Sequence, residues 1–432
     1  MLGTTLLILL ALLGLGIPVA AALGLLGMIL SHMYSFMPLN LAMGQIAWTS
    51  TGGSFLLLTV PLFVLLGEIL LHAGIANRMY SAVTKWVSWL PGGLMHSNIA
   101  ACALFASTSG SSAATAATIG TVAIPQMEKH GYDKRLFLGT IAAGGTLGIL
   151  IPPSVNMIIY GVLTDTSIPR LYLAGIIPGF ILATMFMLTI LIACILVPRW
   201  GGEKVPANWR DRFTCLGDLL PPVVIFSVVI GSIYSGLATP TESAALGVIA
   251  ALILAAFHRR LTISMLKASF EGTARTTGMI VLIIVAAFFL NWVLASIGLT
   301  AVLLEFVQAS GLSPMETIVL VIVFYLILGC FMDTLAMTIT TVPVVAEVVV
   351  ASGWNPVWFG VLVMLLTEAA LITPPVGVNL FIVQGVRRGR GSLNEIMIGA
   401  SPFVLTMFAF IAIMVAFPQV ALWLPELAFA DK

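Results

Sequence analysis

Apolar runs of about twenty residues recur along the whole of this 432-residue chain. About twenty residues is the length that an α-helix needs to cross the hydrocarbon core of a bilayer, and hydrocarbon satisfies no backbone N–H or C=O group. Helices satisfy these groups internally, and the chain is 60% hydrophobic with only 8% charged residues. The sequence therefore predicts an all-α polytopic membrane protein whose surroundings are lipid and not nucleic acid.

The chain repeats a set of proline landmarks at one spacing. Pro152-Pro153 and Pro374-Pro375 lie 222 residues apart, and so do Pro18 and Pro240. Each Pro-Pro pair interrupts an apolar segment; we call Pro152-Pro153 break one and Pro374-Pro375 break two. Paired interruptions at corresponding positions of two halves point to the binding site of a secondary transporter.

Two halves are predicted, at residues 1–197 and 218–432, with a cytoplasmic connection at 198–217. Residues 2–31 could form one tilted helix instead of two short ones. The predicted apolar spans are 2–15, 18–31, 51–71, 135–162 and 171–197 in the first half, and 217–236, 239–257, 276–298, 356–386 and 399–424 in the second.

Each half also contains an apolar segment with a small, polar middle. Hairpin one is residues 96–130 and hairpin two is residues 314–352, and the repeat spacing places Ser111 on Asp333. A polar break halfway through an apolar stretch predicts a re-entrant helical hairpin, because its tip must be buried in protein or line a water-filled cavity.

Two further segments have the composition of interfacial helices. Residues 76–90 interleave Lys85 with two tryptophans, and residues 260–275 interleave three basic residues with apolar ones. Basic amphipathic helices tend to lie in the headgroup plane. We predict two horizontal arms at the same place in each repeat, which brace a moving part; ordinary cytoplasmic loops are the alternative.

The basic residues predict the orientation. Five crossings per half, with hairpins that return to the side they entered, invert the second half relative to the first. In that layout sixteen of the eighteen lysines and arginines lie on one side, and Arg170 and Lys432 on the other. The basic side is cytoplasmic, so hairpin one opens to the cytoplasm, hairpin two opens outward, and both termini are periplasmic.

The hairpin tips and breaks carry oxygen atoms that suit an alkali cation. Hydroxyls and carbonyls freed by proline are hard ligands, which bind such an ion weakly enough to release it. Hydroxyls that merely pack helices together are the alternative. The first tip carries Ser107, Ser109, Ser111, Ser112, Thr115 and Thr118 opposite Gly144–Ser154, and the second carries Asp333 and Thr334 opposite Thr373, break two and Asn379.

Three carboxylates lie in or beside predicted membrane segments. A charge at membrane depth costs about 3 kcal/mol even on lenient scales, so each is a functional candidate. Asp333 could help a cation site, take up a proton, bind substrate or cap a helix, whereas Glu242 and Glu368 could be caps or buried hydrogen-bonding groups.

Other function classes fit less well. A serine hydrolase could pair Ser111 with His96 or His130, but both histidines fall at the cytoplasmic ends of hairpin one, far from its tip. A passive channel would also use re-entrant loops. No Walker A motif occurs, and the four cysteines show no metal-binding spacing. We therefore predict a transporter and not an enzyme, with no cofactor.

Several motifs in register resemble the large membrane subunit of the TRAP (tripartite ATP-independent periplasmic) transporters. They are the stretches Gly148–Ser154, Ile372–Asn379 and Ala238–Glu242, together with the paired hairpin tips. The resemblance covers essentially the whole chain. It implies an elevator-type, ion-transporter-like fold in the bacterial inner membrane. It also implies Na⁺-coupled import of organic acids, with a periplasmic substrate-binding protein and a small membrane subunit, which must here be a separate chain.

The resemblance also implies two Na⁺ sites and a moving part. The transport unit would be the two hairpins with broken spans 135–162 and 356–386, and the remaining helices form the scaffold. A stand-alone dicarboxylate/sodium symporter is the runner-up. The first site would draw on Ser107, Ser111, Ser112, Gly145 and Gly148, the second on Gly329, Asp333, Thr334, Thr373 and Pro375, and the residues that could face the substrate are Thr115, Ser154, Asn156 and Asn379.

Overall fold

The computed structural model describes residues 1–52, 55–203, 208–375, 377–387 and 391–429. Lys204, Arg388, Arg390 and Lys432, which contribute to the predicted orientation, lie outside these ranges, as does Val376 of the second motif. Within the described residues the regular structure is helical: α1 (Leu2–Gly14), α2 (Val19–Tyr34), α3 (Met43–Gly52), α4 (Thr59–His72), α5 (Ile75–Val87), α6 (Leu94–Ser109), α7 (Ser112–Lys129), α8 (Lys134–Leu150), α9 (Val155–Thr164), α10 (Ile168–Leu196), α11 (Trp209–Thr214), α12 (Leu216–Tyr234), α13 (Pro240–Phe257), α14 (Ile263–Ser296), α15 (Leu299–Ala309), α16 (Pro314–Leu328), α17 (Thr334–Ala351), α18 (Pro356–Ile372), α19 (Val378–Val386), α20 (Leu393–Ala416) and α21 (Gln419–Ala428).

The helix boundaries repeat with the spacing of the proline landmarks. Helices α7 and α8 begin and end 222 residues before α17 and α18. Corresponding helices of the two halves also make corresponding contacts. Helix α7 lies against α19, and its counterpart α17 lies against α9; α4 lies against α13, and its counterpart α14 lies against α2. Reciprocal contacts of this kind are what an approximate two-fold relation between two copies produces.

Seven helices of the described part of the chain are long and apolar enough to cross a membrane, or up to eight if the bent pair α4–α5 is one span. This confirms the predicted polytopic helical class. Six of the seven coincide with predicted spans, and the seventh is α17, which was assigned to hairpin two. The predicted total of ten crossings stays a prediction, because α1, α2 and α18 are shorter than a full span.

Residues 2–31 form two helices and not one. Helix α1 ends at Gly14, and α2 begins at Val19 after Pro18. Gly16 between them has φ +74°, a left-handed conformation that glycine adopts without steric cost. Proline cannot donate the hydrogen bond that would continue α1. The chain therefore turns at this point.

The second arm differs from the prediction. In the first repeat α5 is a separate helix, bent 74° from α4. Residues 260–275 instead belong mostly to α14, which continues unbroken to Ser296 because no proline interrupts it. The 222-residue spacing places α15, not residues 260–275, at the position of α5, so α15 is the counterpart of the first arm.

Helix caps explain the sharp starts of several helices and the role of one carboxylate. Thr239 and Glu242 form a capping box at the start of α13, in which the Glu242 carboxylate accepts from the Thr239 backbone N–H at 2.8 Å. Ser313 and Glu316 do the same for α16. Glu242 is therefore a helix-terminus cap, one of the two roles that the sequence left open.

An ion pair closes the connection between α19 and α20. The Arg387 guanidinium donates to the Glu395 carboxylate at 2.6 Å, with side chains 8% and 34% exposed. Losing one partner of a fully buried pair costs about 3–5 kcal/mol, and the partial exposure of Glu395 reduces this, so we expect Glu395→Gln to lower stability by about 2 kcal/mol. Thermal unfolding in detergent measures the loss.

Glu271→Gln is the matched control for Glu395→Gln. Glu271 pairs with Lys267 at 3.8 Å, and their side chains are 68% and 74% exposed. Exposed pairs contribute about 0.5 kcal/mol. Equal unfolding temperatures for the two variants would contradict a stabilising role for the Arg387–Glu395 pair.

Candidate functional site

The tip of hairpin one lies directly on break one. Helix α6 ends at Ser109 and α7 begins at Ser112, and Gly110 between them has φ +59°. A Cβ atom on Gly110 would come within 2.6 Å of the Pro153 carbonyl oxygen. Gly110 thus allows both a left-handed turn and a close approach of two backbones. The contact joins Gly110 and Pro153, which lie 43 positions apart in the sequence.

Four of the five residues predicted for the first Na⁺ site come together here. A Cβ on Gly148 would lie 2.7 Å from the Ser111 carbonyl carbon and oxygen. The Ser112 hydroxyl donates to the Thr146 carbonyl at 3.2 Å, and Gly145 faces Ala116 of α7. The glycines of α8 therefore let the backbone of the hairpin tip approach closely.

Ser107 is the exception. Its hydroxyl donates to the Leu104 carbonyl at 2.8 Å, within its own helix. The side chain lies on α6, one turn before the tip, and its described hydrogen bond does not reach α8. Local back-bonding of this kind is common for serine inside a helix. The oxygen lone pairs of Ser107 stay available while its hydrogen is donated to Leu104.

The atoms around this contact fit an alkali cation. Because Pro152 and Pro153 lack an N–H, the carbonyls of Gly148 and Ile149 lose the helical donors four residues ahead of them. Gly148 itself lies against the Ser111 and Ser112 backbone. Neutral carbonyl and hydroxyl oxygens are hard ligands, typical of sites from which an alkali cation can leave again.

Hairpin two meets break two in a similar way. Gly329 packs against Ala370 of α18, and the Cys330 thiol lies 3.9 Å from the Pro374 carbonyl oxygen. Both Pro-Pro peptide bonds are cis. A single cysteine carries no spacing signal in the sequence, and only the structure places Cys330 at the tip.

The other predicted residues of the second site make mostly local contacts. The Asp333 carboxylate accepts from the Ala336 backbone N–H at 2.8 Å and caps α17. The Thr373 hydroxyl donates to the Ala369 carbonyl at 2.6 Å, the Thr334 carbonyl accepts from Thr338, and Pro375 is exposed. Asp333 therefore has a capping role in this conformation, and the tip touches the break through Cys330, while Gly329 packs on α18 just before it.

The four candidate substrate residues are buried beside the first site. Thr115 donates to the Ser111 carbonyl at 2.7 Å, and Ser154 caps α9. The Asn379 side-chain amide donates to the Ala142 carbonyl at 3.1 Å, so a residue of the second half completes the surroundings of the first site. Within the described residues, the Asn156 Nδ2 and Asn379 Oδ1 atoms have no hydrogen-bond partner.

A glycine of α4 that the sequence did not single out touches the same tip. A Cβ on Gly67 of α4 would lie 3.1 Å from the Ser109 carbonyl oxygen and 3.5 Å from the Ser109 Cα atom. Small residues allow two membrane helices to approach at backbone distance. One glycine inside an apolar run carries no signal of its own, so only the packing identifies Gly67.

Comparison with known proteins assigns the chain to a family. The protein-family model described as tripartite ATP-independent periplasmic transporter, DctM component, matches residues 6–420. The C4-dicarboxylate TRAP transporter large permease protein DctM of Vibrio cholerae is 30% identical over 439 residues, which are 96% of each chain. The sialic acid TRAP transporter large permease protein SiaM of the same organism is 32% identical over 376 residues, 87% of each chain.

A solved structure supports the fold independently of sequence. The YdaH transporter of Alcanivorax borkumensis, whose crystal structure is described as having an unusual topology, aligns with a TM-score of 0.64 at 14% identity. The alignment covers 94% of this chain and 99% of that one. The relatives are permease proteins and not enzymes. The family match over nearly the whole chain shows that this multi-pass membrane protein belongs to the large permease (DctM) family of TRAP transporters.

Proposed function

We propose that this protein is the large permease subunit of a Na⁺-coupled secondary transporter that imports organic acid anions by an elevator mechanism. It acts in the bacterial inner membrane, with inverted repeats and periplasmic termini, together with a small membrane subunit and a periplasmic substrate-binding protein. The observation that carries the proposal is the contact of each polar tip with the Pro-Pro break of its own repeat.

Cation binding would order the tips. The Ser111 and Gly148 backbones approach closely, and the missing proline donors free the Gly148 and Ile149 carbonyls from helical hydrogen bonds. A Na⁺ ion bound there would link α7 to α8, and its binding free energy would order the tip before the substrate binds. A substrate that binds to an already ordered site loses less conformational entropy, which produces coupling without direct contact between ion and substrate.

Two helix starts beside the same tip favour an anionic substrate. Ser111 caps α7 and Ser154 caps α9, and a Cβ on Gly110 would lie 3.7 Å from the Ser154 Cα atom. Helix N-termini carry partial positive charge and favour carboxylates. Relatives named for a C4-dicarboxylate and for sialic acid are about equally similar to this chain, so similarity does not choose between these acids.

The elevator step would occur between the tip of hairpin one and α4. Gly67 offers no side chain to interlock with Ser109, and a smooth contact of this kind suits two bodies that slide past each other. The transport unit carries both tips and both breaks, whereas α4 packs on α13 and α14 of the scaffold.

Uptake into proteoliposomes tests the proposal. The permease is reconstituted with its small subunit, and labelled dicarboxylates, keto acids and acidic sugars are supplied with the candidate binding protein. We expect accumulation that requires an inward Na⁺ gradient and falls to background when K⁺ or choline replaces Na⁺. Accumulation indifferent to any cation gradient would contradict the proposal, and Na⁺-driven uptake without the binding protein would favour a stand-alone symporter.

A further inference from the structure

Glu368 differs from the other carboxylates near the site. It lies on α18, its side chain is 0% exposed, and neither carboxylate oxygen has a hydrogen-bond partner within the described residues. Glu242 and Asp333, by contrast, cap helices, and Glu395 pairs with Arg387. Glu368 is thus a deeply buried acid for which the fold supplies no structural role.

The position of Glu368 relates it to both breaks. It precedes Thr373 by five residues, about 7.5 Å along the axis of α18. The backbone N–H of Leu150, the last residue of α8 before break one, lies beside its carboxyl without forming a hydrogen bond of normal distance and angle. The carboxyl therefore lies between the two broken helices, in the interior of the transport unit.

No charged side chain of the described residues compensates Glu368. Helices α8, α9, α10, α16, α17, α19, α20 and α21 pack against α18. The titratable side chains on these helices are Lys134, Arg135, Tyr160, Arg170, Tyr172, Cys194, Glu316, Tyr325, Glu347, Glu395 and Glu426. Within the described residues, none of them forms a hydrogen bond or a salt bridge with the Glu368 carboxyl.

An ionised carboxylate in such surroundings is strongly disfavoured, so a cation must neutralise it. A Na⁺ ion needs a shell of several oxygens, and no hydroxyl within the described residues is hydrogen-bonded to this carboxyl. A proton needs only the carboxyl oxygen itself. The described contacts therefore suit a proton as the partner of Glu368.

We propose that Glu368 is a proton-binding site of the transport unit, protonated in this conformation and deprotonated at another stage of the transport cycle. Thr373 is half-buried and Pro374 and Pro375 are exposed, so movement at break two opens the path by which water reaches the carboxyl. The proton is taken from water on one side of the membrane and released to water on the other. The inference rests on the proposed function, because it requires a moving transport unit.

Infrared spectroscopy of the purified protein tests protonation without any transport. Subtracting the spectrum of Glu368→Gln from that of the unaltered protein at neutral pH should leave the C=O stretch of one protonated carboxyl. Glu368→Asp should keep this band at a shifted frequency. Glu271 is exposed, so the difference spectrum for Glu271→Gln should show no band in this region. A difference spectrum with only ionised carboxylate bands would overturn the proposal.

Proton movement tests the second half of the inference. Proteoliposomes loaded with a pH-sensitive dye should report a pH change during Na⁺-driven uptake, and Glu368→Gln should abolish that change. If this variant does not transport, Glu368→Asp, which keeps the carboxyl, should still move protons. Uptake by the unaltered protein without any pH change would refute proton coupling while leaving Na⁺ coupling intact, whereas absence of Na⁺-driven uptake would refute the proposed function itself.

Discussion

Gly148→Ala should strongly reduce Na⁺-dependent uptake at ordinary Na⁺ concentrations. The added Cβ atom would lie 2.7 Å from the carbonyl carbon and oxygen of Ser111 and 2.8 Å from the Ser112 nitrogen. All three are backbone atoms, so no flexible side chain can give way and the tip must withdraw from α8. Forcing atoms into a packed site costs about 1–3 kcal/mol, which corresponds to roughly a 5- to 150-fold loss of apparent Na⁺ affinity.

Gly120→Ala is the matched control for Gly148→Ala. Gly120 lies in the same hairpin, on α7, and its added Cβ would make ordinary contacts at 3.5 Å to Ile141 and Val386. Uptake should therefore stay close to that of the unaltered protein. The unfolding temperature of both variants in detergent separates a lost site from a lost fold. A folded Gly148→Ala protein with normal Na⁺ dependence would show that this contact is not the cation site.

A disulfide between Gly67→Cys and Ser109→Cys should stop transport almost completely. The Cβ position of residue 67 lies 3.5 Å from the Ser109 Cα atom, a proximity compatible with the Cα–Cα separation of roughly 4.4–6.8 Å that disulfides require. The bond would tie the tip of hairpin one to the scaffold and prevent sliding. The experiment uses a background in which Cys102, Cys194, Cys215 and Cys330 are replaced, and uptake is measured before and after oxidation.

Thr59→Cys with Thr241→Cys provides the control cross-link. The two threonine hydroxyls lie 2.6 Å apart, one on α4 and one on α13, both in the scaffold. A bond between helices that do not move relative to each other should leave uptake unchanged. A reducing agent should restore transport in the first pair. Full activity of the oxidised 67–109 pair would exclude a sliding movement at this contact.

Local chemistry made the repeated elements predictable. Proline has no N–H, so Pro152-Pro153 and Pro374-Pro375 must interrupt their helices wherever the chain folds. The hairpin tips were predictable for a similar reason, because a polar stretch cannot lie unpaired in hydrocarbon. The structure accordingly ends α8 and α18 just before the breaks.

Long-range packing decided what the sequence could not. The second arm is α15, because α14 contains no proline that would separate residues 260–275 from its span. Asn379 lies beside Gly145 and bonds Ala142 across 237 positions. Within the described residues the Glu368 carboxylate has no hydrogen-bond partner. This likewise depends on all the helices around it, and no sequence motif reveals it.

The amino-acid sequence by itself determined that this protein is helical, duplicated and interrupted at two matched points, since backbone hydrogen bonding in lipid and the missing proline donor act within a few residues. The tertiary structure alone decided which glycine of α4 touches a tip, which asparagine of the second half lies beside the residues predicted for the first site, and which buried acid among the described residues has no hydrogen-bond partner. Those properties depend on atoms brought together from distant parts of the chain, where close packing and not local preference determines the neighbours.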